Sequence, residues 1–346
     1  MMVSFVVSTY RRPSALKVTL AALLKLDYPA SEYEIVVVND GSGDETVSVV
    51  ERLAQAHPNI HLITQTNSGV ATARNTGAKA ACGDLLIFVD DDIVVEPDHL
   101  TRQLELHAAH PGCISTGHWE FAPETLAALR STPFGRFRIG LEDWVKGETQ
   151  KLPLDDGRLA QDHITAANMA VRRDLFWELG GFDQAFPYAG CEDQEFSLRA
   201  RDAGVCLIGD PSIRLQHDDM RVSLDQFGER QRRGAITHVY LAARRLNEYA
   251  NRALLVENAP LCRYDPWRRT LKKIIKALYA SPAGMAAAKL ATGILERFAP
   301  DSQALRKLYR MTIGAYLFIG IRQGLDQFPQ VRDACVQAVR KQAQRA

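Results

Sequence analysis

The chain has 346 residues, a formal net charge of +1, and 46% hydrophobic and 24% charged residues. These values are typical of a globular protein with two domains or one large domain with appendages. The near-neutral charge gives no support for nucleic-acid binding. The six cysteines include no CxxC pair, which favours a reduced, cytoplasmic protein over a disulfide framework or a zinc site.

Neither a signal peptide nor a membrane span is expected. The apolar run at residues 2–7 is short, and Arg11 and Arg12 follow it rather than precede it. The longest apolar stretch of the C-terminal half, residues 311–321, falls well short of a span and contains two glycines.

Strands and helices alternate through the first hundred residues. Apolar runs predict strands at residues 3–10, 34–40, 60–64 and 85–89, and helical periodicity occupies the segments between them. Such alternation predicts an α/β fold with a Rossmann-like, mostly parallel sheet that is flanked by helices.

The later pattern divides the chain into two regions. A helix at 97–109 and a strand at 113–117 precede an irregular insertion, residues 118–164, which we place over the active face. Further strands and helices follow up to His217, including short strands at residues 205–208 and 213–217, and the chain is helical from residue 224. We therefore expect a catalytic domain over residues 1–222 and a helical C-terminal region over residues 223–346.

Three consecutive carboxylates, Asp90, Asp91 and Asp92, end the fourth predicted strand. Adjacent acids repel one another unless a cation or strong donors lie among them, so a Mg²⁺ or Mn²⁺ site is one interpretation. A solvated acidic turn is the other, and this motif alone does not decide between them. Asp40 ends a neighbouring strand and should lie at the same edge of the sheet.

Four further side chains could complete a site. Glu192 and Asp193 begin a helix, where a carboxylate could act as a general base or simply cap the helix. Arg74 follows a helix start and is either an anion-binding group or a surface arginine. His217 ends a strand and is either a nitrogen ligand, which would suit Mn²⁺, or a structural histidine.

The helical C-terminal region is rich in basic residues. Arg232 and Arg233 could contact a diphosphate, although a solvated basic helix face is the favoured interpretation. Residues 267–280 mix lysine and arginine with apolar residues. Packing or homo-oligomerisation is favoured slightly for these helices, and docking on a membrane through basic and apolar faces is the alternative.

Several motifs occur in an order that resembles family 2 inverting glycosyltransferases of the GT-A fold. They lie at residues 6–11, 34–42, 69–77, 86–92, 180–183 and 191–199, with His217 after them. Each motif alone is weak, but their order over about 240 residues is specific. Cys191 departs from the family, in which a small residue is common at this position.

The resemblance implies a role for each matching residue. The nucleotide and donor would be bound by Thr9, Tyr10, Arg11, Asp40, Arg74, Asp90 and Asp91, with Asp40 on the base, Arg74 near the phosphates and Asp90 on the ribose or the metal. The metal would be held by Asp92, Asp90 and His217. Asp193 would be the general base and Glu192 would support the acceptor. Asp91 has no separate task, and we expect it to turn away from the ion or to accept hydrogen bonds from backbone donors.

The implied activity is metal-dependent transfer, with Mn²⁺ or Mg²⁺, of a sugar from a nucleoside-diphosphate sugar, most simply a UDP-sugar. The acceptor would be a hydroxyl of a glycan or lipid-linked saccharide in polysaccharide biosynthesis at the cell surface, reached from the inner face of the cell membrane. A sugar nucleotidyltransferase is an alternative, but it normally has a glycine-rich loop after the first strand, and residues 9–13 contain no glycine. A catalytically inactive scaffold that binds nucleotide sugars is another.

Overall fold

The computed structural model describes residues 1–148 and 151–345. The chain forms two compact units. The first comprises Met1–Leu126, Glu148–Pro187 and Glu192–Met220, and the second comprises Ala127–Gly147, Tyr188–Cys191 and Arg221–Ala346.

Strands and helices alternate at the start of the chain. The elements up to residue 121 are β1 Val3–Thr9, α1 Pro13–Leu23, β2 Tyr33–Asp40, α2 Thr46–Ala56, β3 Ile60–Gln65, α3 Val70–Ala80, β4 Leu85–Asp90, β5 Ile93–Val95, α4 His99–Ala109 and β6 Ile114–Phe121. Those up to residue 217 are α5 Pro123–Ser131, α6 Pro133–Glu148, β7 Lys151–Pro153, β8 Leu159–Gln161, β9 Asn168–Arg172, α7 Arg173–Glu178, α8 Glu192–Asp202 and β10 Leu207–His217. The remainder is helical, with α9 Leu224–Arg244, α10 Leu246–Tyr249, α11 Ala253–Val256, α12 Trp267–Tyr279, α13 Pro282–Phe298, α14 Gln303–Gln327 and α15 Pro329–Arg345.

The described strands form one sheet in the order β3-β2-β1-β4-β9-β6-β10-β8-β7, with β5 paired to β10. Strand β1 lies between β2 and β4 and is parallel to both, so that Thr9 is aligned with Asn39 and Ser8 with Asp90. The carboxyl ends of β1, β2 and β4 therefore lie at the same edge. A mostly parallel sheet flanked by helices, as predicted, is confirmed.

The continuous apolar strands follow from burial on both faces. Alternate residues of β1 enter opposite cores: Phe5 and Val7 pack in one, and Val6 packs with Val36 and Phe88 in the other. Parallel strands covered by helices on both sides are apolar throughout rather than alternating, which is why this pattern was readable.

The far half of the sheet differs from the prediction. Strand β9 is antiparallel to β4 and β6, and β10 is parallel to β6. The strands predicted at 205–208 and 213–217 are a single strand, β10, with a register shift between Asp210 and Arg214. The short β5 was not predicted, and its antiparallel pairing places Ile93 opposite His217.

The segment assigned to an insertion is divided in the structure. Strand β6 continues to Phe121, and residues 127–147 belong to the second compact unit. There an aromatic cluster explains the association, because Phe134 and Phe137 lie 5.2 and 5.1 Å from the ring of Tyr309. None of the helices in the described ranges is long and apolar enough to cross a membrane.

Candidate active site

Of the three acids at the carboxyl end of β4, two are buried and one is partly exposed. Asp91 and Asp92 are 5% and 3% exposed, and the side chain of Asp90 is 32% exposed. A solvated acidic turn is therefore the wrong interpretation. Since buried carboxylates need partners, the cations and donors around them define the site.

Arg12 is the partner of two of these acids. Its Nη1 lies 2.7 Å from Asp91 Oδ1, and its Nη2 lies 2.6 Å from Asp92 Oδ2. The Thr9 hydroxyl donates a hydrogen bond of 2.7 Å to Asp91 Oδ2. Burial nevertheless raises the pKa of Asp91 to about 7, with Arg12 opposing the rise.

These contacts correct one of the two alternatives expected for Asp91, because the donors that hold it are the side chains of Thr9 and Arg12 rather than backbone amides. That Asp91 turns away from the ion stays a prediction. Sequence reasoning also missed Arg12, although a signal was present. Arg12 follows β1 at the sheet edge where Asp90 to Asp92 leave β4, and three adjacent acids require a nearby cation.

His217 lies beside Asp92. The two atoms His217 Nε2 and Asp92 Oδ2 are 3.3 Å apart, and the Asp218 amide donates to the backbone oxygen of Asp92 at 2.8 Å. The rings of His217 and Trp119 are nearly perpendicular, with centroids 5.3 Å apart. Burial raises the pKa of Asp92, but His217 and Arg12 outweigh burial, so this pKa lies well below its usual range.

Asp92 and His217 place a carboxylate oxygen and an imidazole nitrogen beside each other, and this pair of potential ligands suits Mn²⁺ better than Mg²⁺. No cluster of three or more potential protein ligands occurs within residues 1–148 and 151–345. Two potential protein ligands, Asp92 and His217, would suit a cation that is held by one or two side chains and takes its other ligands from phosphate oxygens and water. Asp90, expected as a further ligand, contacts Arg74 instead.

Arg74 joins the two acidic motifs. Its Nη2 lies 2.7 Å from Asp90 Oδ1 and its Nη1 lies 2.7 Å from Glu192 Oε1. The residue is 4% exposed, so it is not a surface arginine. Asn75 holds the adjacent turn through hydrogen bonds of 2.8 and 3.0 Å to the backbone of Phe182. Burial lowers the pKa of Arg74, but both carboxylates more than compensate and keep it charged.

Asp193 lies in the first turn of α8 and is half-buried. Its carboxylate accepts hydrogen bonds from the amides of Gln194 at 2.8 Å and Ala166 at 3.2 Å. Burial and the charge of Glu192 raise the pKa of Asp193 to about 7, against the lowering effect of Arg74. A carboxyl with this pKa can exchange a proton near neutral pH.

Asp40 organises the loop before α3. Its carboxylate accepts hydrogen bonds from Gln65 Nε2 at 2.8 Å and from the amides of Ser68 and Gly69 at 2.8 and 2.9 Å. Asp40 is 4% exposed, so these protein donors occupy most of its surroundings.

The loop after β1 presents two exposed groups. Tyr10 is 41% exposed, and the Arg11 guanidinium lies 5.1 Å from the centre of its ring. Arg11 has a φ of 55°, and its amide donates a 2.8 Å hydrogen bond to Ser42 Oγ. This bond joins the motifs at the ends of β1 and β2. Thr9, in contrast, is buried and its hydroxyl is used by Asp91.

Arg232 and Arg233 belong to the second unit and both contact Glu229 on their own helix, at 2.6 and 3.1 Å. This arrangement agrees with a basic helix face that is stabilised by local ion pairs.

Comparison with known proteins identifies one family. The model described as "Glycosyl transferase family 2" matches residues 4–180, which is just over half of the chain. A validoxylamine A glucosyltransferase from Streptomyces hygroscopicus subsp. jinggangensis is 30% identical over 233 residues, which cover 59% of this chain and 52% of the relative. The chain thus spans about half the length of that relative.

Solved structures share the fold. A mannosyltransferase from Pyrobaculum calidifontis, in complex with GDP-Man and Mn²⁺, has a TM-score of 0.59 at 21% identity, covering 93% of this chain and 86% of its own. GalNAc-T7 with UDP, GalNAc and Mn²⁺ has a TM-score of 0.51 at 16% identity, covering 66% and 47%. The predicted GT-A type of fold is confirmed.

Proposed function

Because the chain belongs to glycosyl transferase family 2, we propose that it transfers a sugar, with inversion, from a nucleoside-diphosphate sugar to an acceptor hydroxyl. The observation that carries this proposal is the position of Arg74 between Asp90 and Glu192, at 2.7 Å from each. This contact connects the acids at the end of β4 with those that begin α8. Such an arrangement would place the donor-binding residues Asp90 and Asp92 near the proposed base, Asp193.

The donor would be held at the edge formed by β1, β2 and β4. Asp92 and His217 would hold the divalent cation, Mn²⁺ or Mg²⁺, and the mannosyltransferase and GalNAc-T7 structures both contain Mn²⁺. When bound, the cation would neutralise charge on the departing diphosphate. Asp90 would contact the ribose. The loop that Asp40 organises would contact the nucleobase, together with Tyr10 and Arg11.

UDP is the nucleotide that we propose first. It occurs in the GalNAc-T7 structure, whereas the mannosyltransferase structure contains GDP-Man, so both nucleotides are compatible with this type of fold. The acceptor that we propose is a hydroxyl of a glycan or of a lipid-linked saccharide, in the synthesis of cell-surface polysaccharide.

Asp193 would act as the general base. The acceptor oxygen forms a bond to the anomeric carbon while the bond from that carbon to the diphosphate oxygen breaks. The hydroxyl proton passes to Asp193, and the nucleoside diphosphate leaves with the electron pair. The raised pKa of Asp193 supports this role, because its proton affinity is higher than that of an ordinary carboxylate.

A thermal-shift screen tests the donor site. UDP-, GDP- and dTDP-sugars are added with and without Mn²⁺, and we expect UDP-sugars with Mn²⁺ to raise Tm by several degrees. A ligand at about 100 times its Kd stabilises the folded state by about 2.7 kcal/mol. Asp92→Asn should remove the part of the Tm increase that depends on Mn²⁺. Asp98→Asn, at a side chain that is 46% exposed, should retain this part of the increase. Stabilisation that is independent of Mn²⁺, or unaffected by Asp92→Asn, would contradict the metal assignment.

A further inference from the structure

Helix α12 exposes its apolar residues. Trp267, Leu271, Ile274, Ile275 and Leu278 are 71%, 49%, 40%, 50% and 67% exposed. Their spacing places them on one side of the helix. We call this set the α12 face.

The opposite side of α12 is buried although it carries a charge. Lys273 is 3% exposed, and its Nζ lies 2.9 Å from Asp265 Oδ2 and 3.2 Å from the Pro260 oxygen. An ordinary surface helix buries its apolar side and exposes its lysines. Helix α12 instead buries Lys273 and exposes its large apolar residues, so the ion pair of Lys273 anchors the helix to the unit and leaves the α12 face available.

Cations surround this apolar surface. From residue 267 to residue 327 the chain has eleven lysines and arginines against three acidic residues, whereas the whole chain has a net charge of only +1. A groove of about 370 Å³ lies between α12 and α14. Its wall includes Ile275 and Met311, and Lys272, Lys276, Lys307 and Arg310 contribute four positive charges.

These charges are largely uncompensated within the protein. Lys272, Lys307 and Arg310 have no carboxylate within 4 Å among the residues that the structure describes. Burial and the neighbouring Lys272 and Lys273 lower the pKa of Lys276, with Glu257 opposing the change. The groove therefore combines apolar side chains with a set of cations that an anionic ligand would neutralise.

Helix α13 adds a second apolar stripe in the same unit. Leu290, Ile294 and Phe298 are 69%, 51% and 75% exposed, and a spacing of four residues places them along one side. Clusters of exposed large apolar residues of this kind mark interaction sites rather than ordinary surface.

We propose that the α12 face docks on a bilayer surface that contains anionic phospholipid. The apolar side chains enter the boundary between headgroups and acyl chains, and the cations of the groove bind headgroup phosphates. Amphipathic helices with large apolar residues and flanking lysine and arginine bind membranes in this way. The proposal does not depend on the sugar or acceptor of the transfer reaction.

Charge decides between a bilayer and a second copy of the chain as the occupant. A two-fold dimer would place each α12 face against its own equivalent. The four groove cations of one copy would then approach those of the other, and such like-charge contacts are costly. An anionic lipid surface can bury the apolar side chains of the α12 face and neutralise the cations of the groove.

Vesicle flotation with the full chain tests the proposal. We expect binding to vesicles of phosphatidylcholine and phosphatidylglycerol in equal amounts, little binding to phosphatidylcholine alone, and release by high salt. Tryptophan emission should move to shorter wavelength on vesicle addition, and Trp267→Phe should remove most of this change.

Matched variants locate the contact. Leu278→Glu should weaken binding at least tenfold, because it removes apolar burial and adds a negative charge. Lys307→Gln should weaken binding about fivefold, as expected for one cation near an anionic surface. Val18→Glu and Lys17→Gln change exposed residues of α1 and should bind as the wild type does.

Three results would overturn the proposal. They are absence of binding to the anionic vesicles, equal loss of binding in the α1 controls, and a wild-type dimer that Leu278→Glu converts to a monomer. The last would assign the α12 face to a second copy. None of these readouts uses donor or acceptor, so failure here and failure of the proposed transfer activity are distinguishable.

Discussion

Glu192 and Asp193 are adjacent in the sequence but have different surroundings. Glu192 is 2% exposed and is neutralised by Arg74 at 2.7 Å. Asp193 accepts hydrogen bonds from two backbone amides, and burial with the charge of Glu192 raises its pKa. Neighbouring acids whose environments differ in this way are suited to different tasks. We therefore propose proton transfer for Asp193 and a positioning role for Glu192.

Replacing the base tests this division. We expect Asp193→Asn to lower turnover by about 10²–10⁴-fold, the usual contribution of a general base. Donor binding with Mn²⁺, measured by calorimetry, should stay within about twofold of the wild type. Asp202→Asn, at the exposed end of the same helix, is the control. Near-normal turnover of Asp193→Asn would disprove the base assignment.

The pH dependence of turnover follows from the raised pKa of Asp193. A base must be deprotonated to accept a proton, so turnover should decrease as the pH falls through about 7. An ordinary aspartate would lose activity only near pH 4. The residual turnover of Asp193→Asn should not decrease as the pH falls through about 7. A wild-type profile that is flat between pH 8 and about pH 5 would show that the pKa is not raised.

Arg12 should be important for stability as well as for the site. Arg12→Gln leaves Asp91 and Asp92 without their cation, and a fully buried pair broken in this way costs about 3–5 kcal/mol. The Arg12 side chain is 39% exposed, so screening reduces the expected loss to about 1–2 kcal/mol.

Scanning fluorimetry measures this effect. If Asp92 holds a divalent cation as we propose, Mn²⁺ should reduce the loss of stability in Arg12→Gln, because the cation would replace the missing positive charge. Arg102→Gln removes an exposed pair with Asp98 and should change Tm very little. Equal melting temperatures of the Arg12 variant and the wild type would contradict the proposed role.

Residue types and strand ends selected candidate residues that contact one another in the structure, although their roles stay predictions. Arg74 connects Asp90 with Glu192, and His217 lies beside Asp92. The partners were not predictable, because Arg12 and Arg74 contact acids that are up to 118 positions away in the sequence. Which arginine reaches which carboxylate depends on register and rotamer, and no local pattern encodes either.

At the scale of elements, α3 lies very close to the sheet. A Cβ atom at Gly77 would lie 2.5 Å from Val6 Cγ1 and 3.1 Å from Val38 Cγ2. Only a glycine lets the helix approach β1 and β2 this closely. Since α3 also carries Arg74 and Asn75, its distance from the sheet affects the position of the site.

Gly77→Ala should lower the free energy of unfolding by about 1–3 kcal/mol, as overpacking does in other cores. Gly293→Ala, also within a helix but with no atom within 4 Å of the added Cβ, should be neutral or stabilising by up to about 1 kcal/mol. Melting temperatures of the two variants provide the comparison. A Gly77→Ala variant as stable as Gly293→Ala would mean that α3 shifts at little cost.

Elements were predictable where burial produces a strong pattern. The strands β1, β2 and β4 are apolar on both faces, and their predicted positions agree with the structure within about one residue at each end. The short β5 has only three residues, and its pairing depends on distant β10. The interruption in β10 is a register shift, which sequence reasoning interpreted as a break between two strands.

At the scale of the whole chain, residues 127–147 were the main difference from expectation. Their sequence is irregular and lies between two parts of the first unit, so it was interpreted as an insertion there. The structure groups them with the C-terminal helices instead. Contacts such as Phe134 with Tyr309 span 175 positions, and pattern and composition carry no information about such pairings.

We propose that the acids at this sheet edge and at the start of α8 perform glycosyl transfer. Phosphorus NMR of the wild-type protein with a UDP-sugar, Mn²⁺ and a hydroxyl acceptor tests it most directly. We predict release of free UDP without pyrophosphate, and loss of that release in Asp193→Asn but not in Asp202→Asn. Release of pyrophosphate, or equal release of UDP by Asp193→Asn and the wild type, would contradict this proposal.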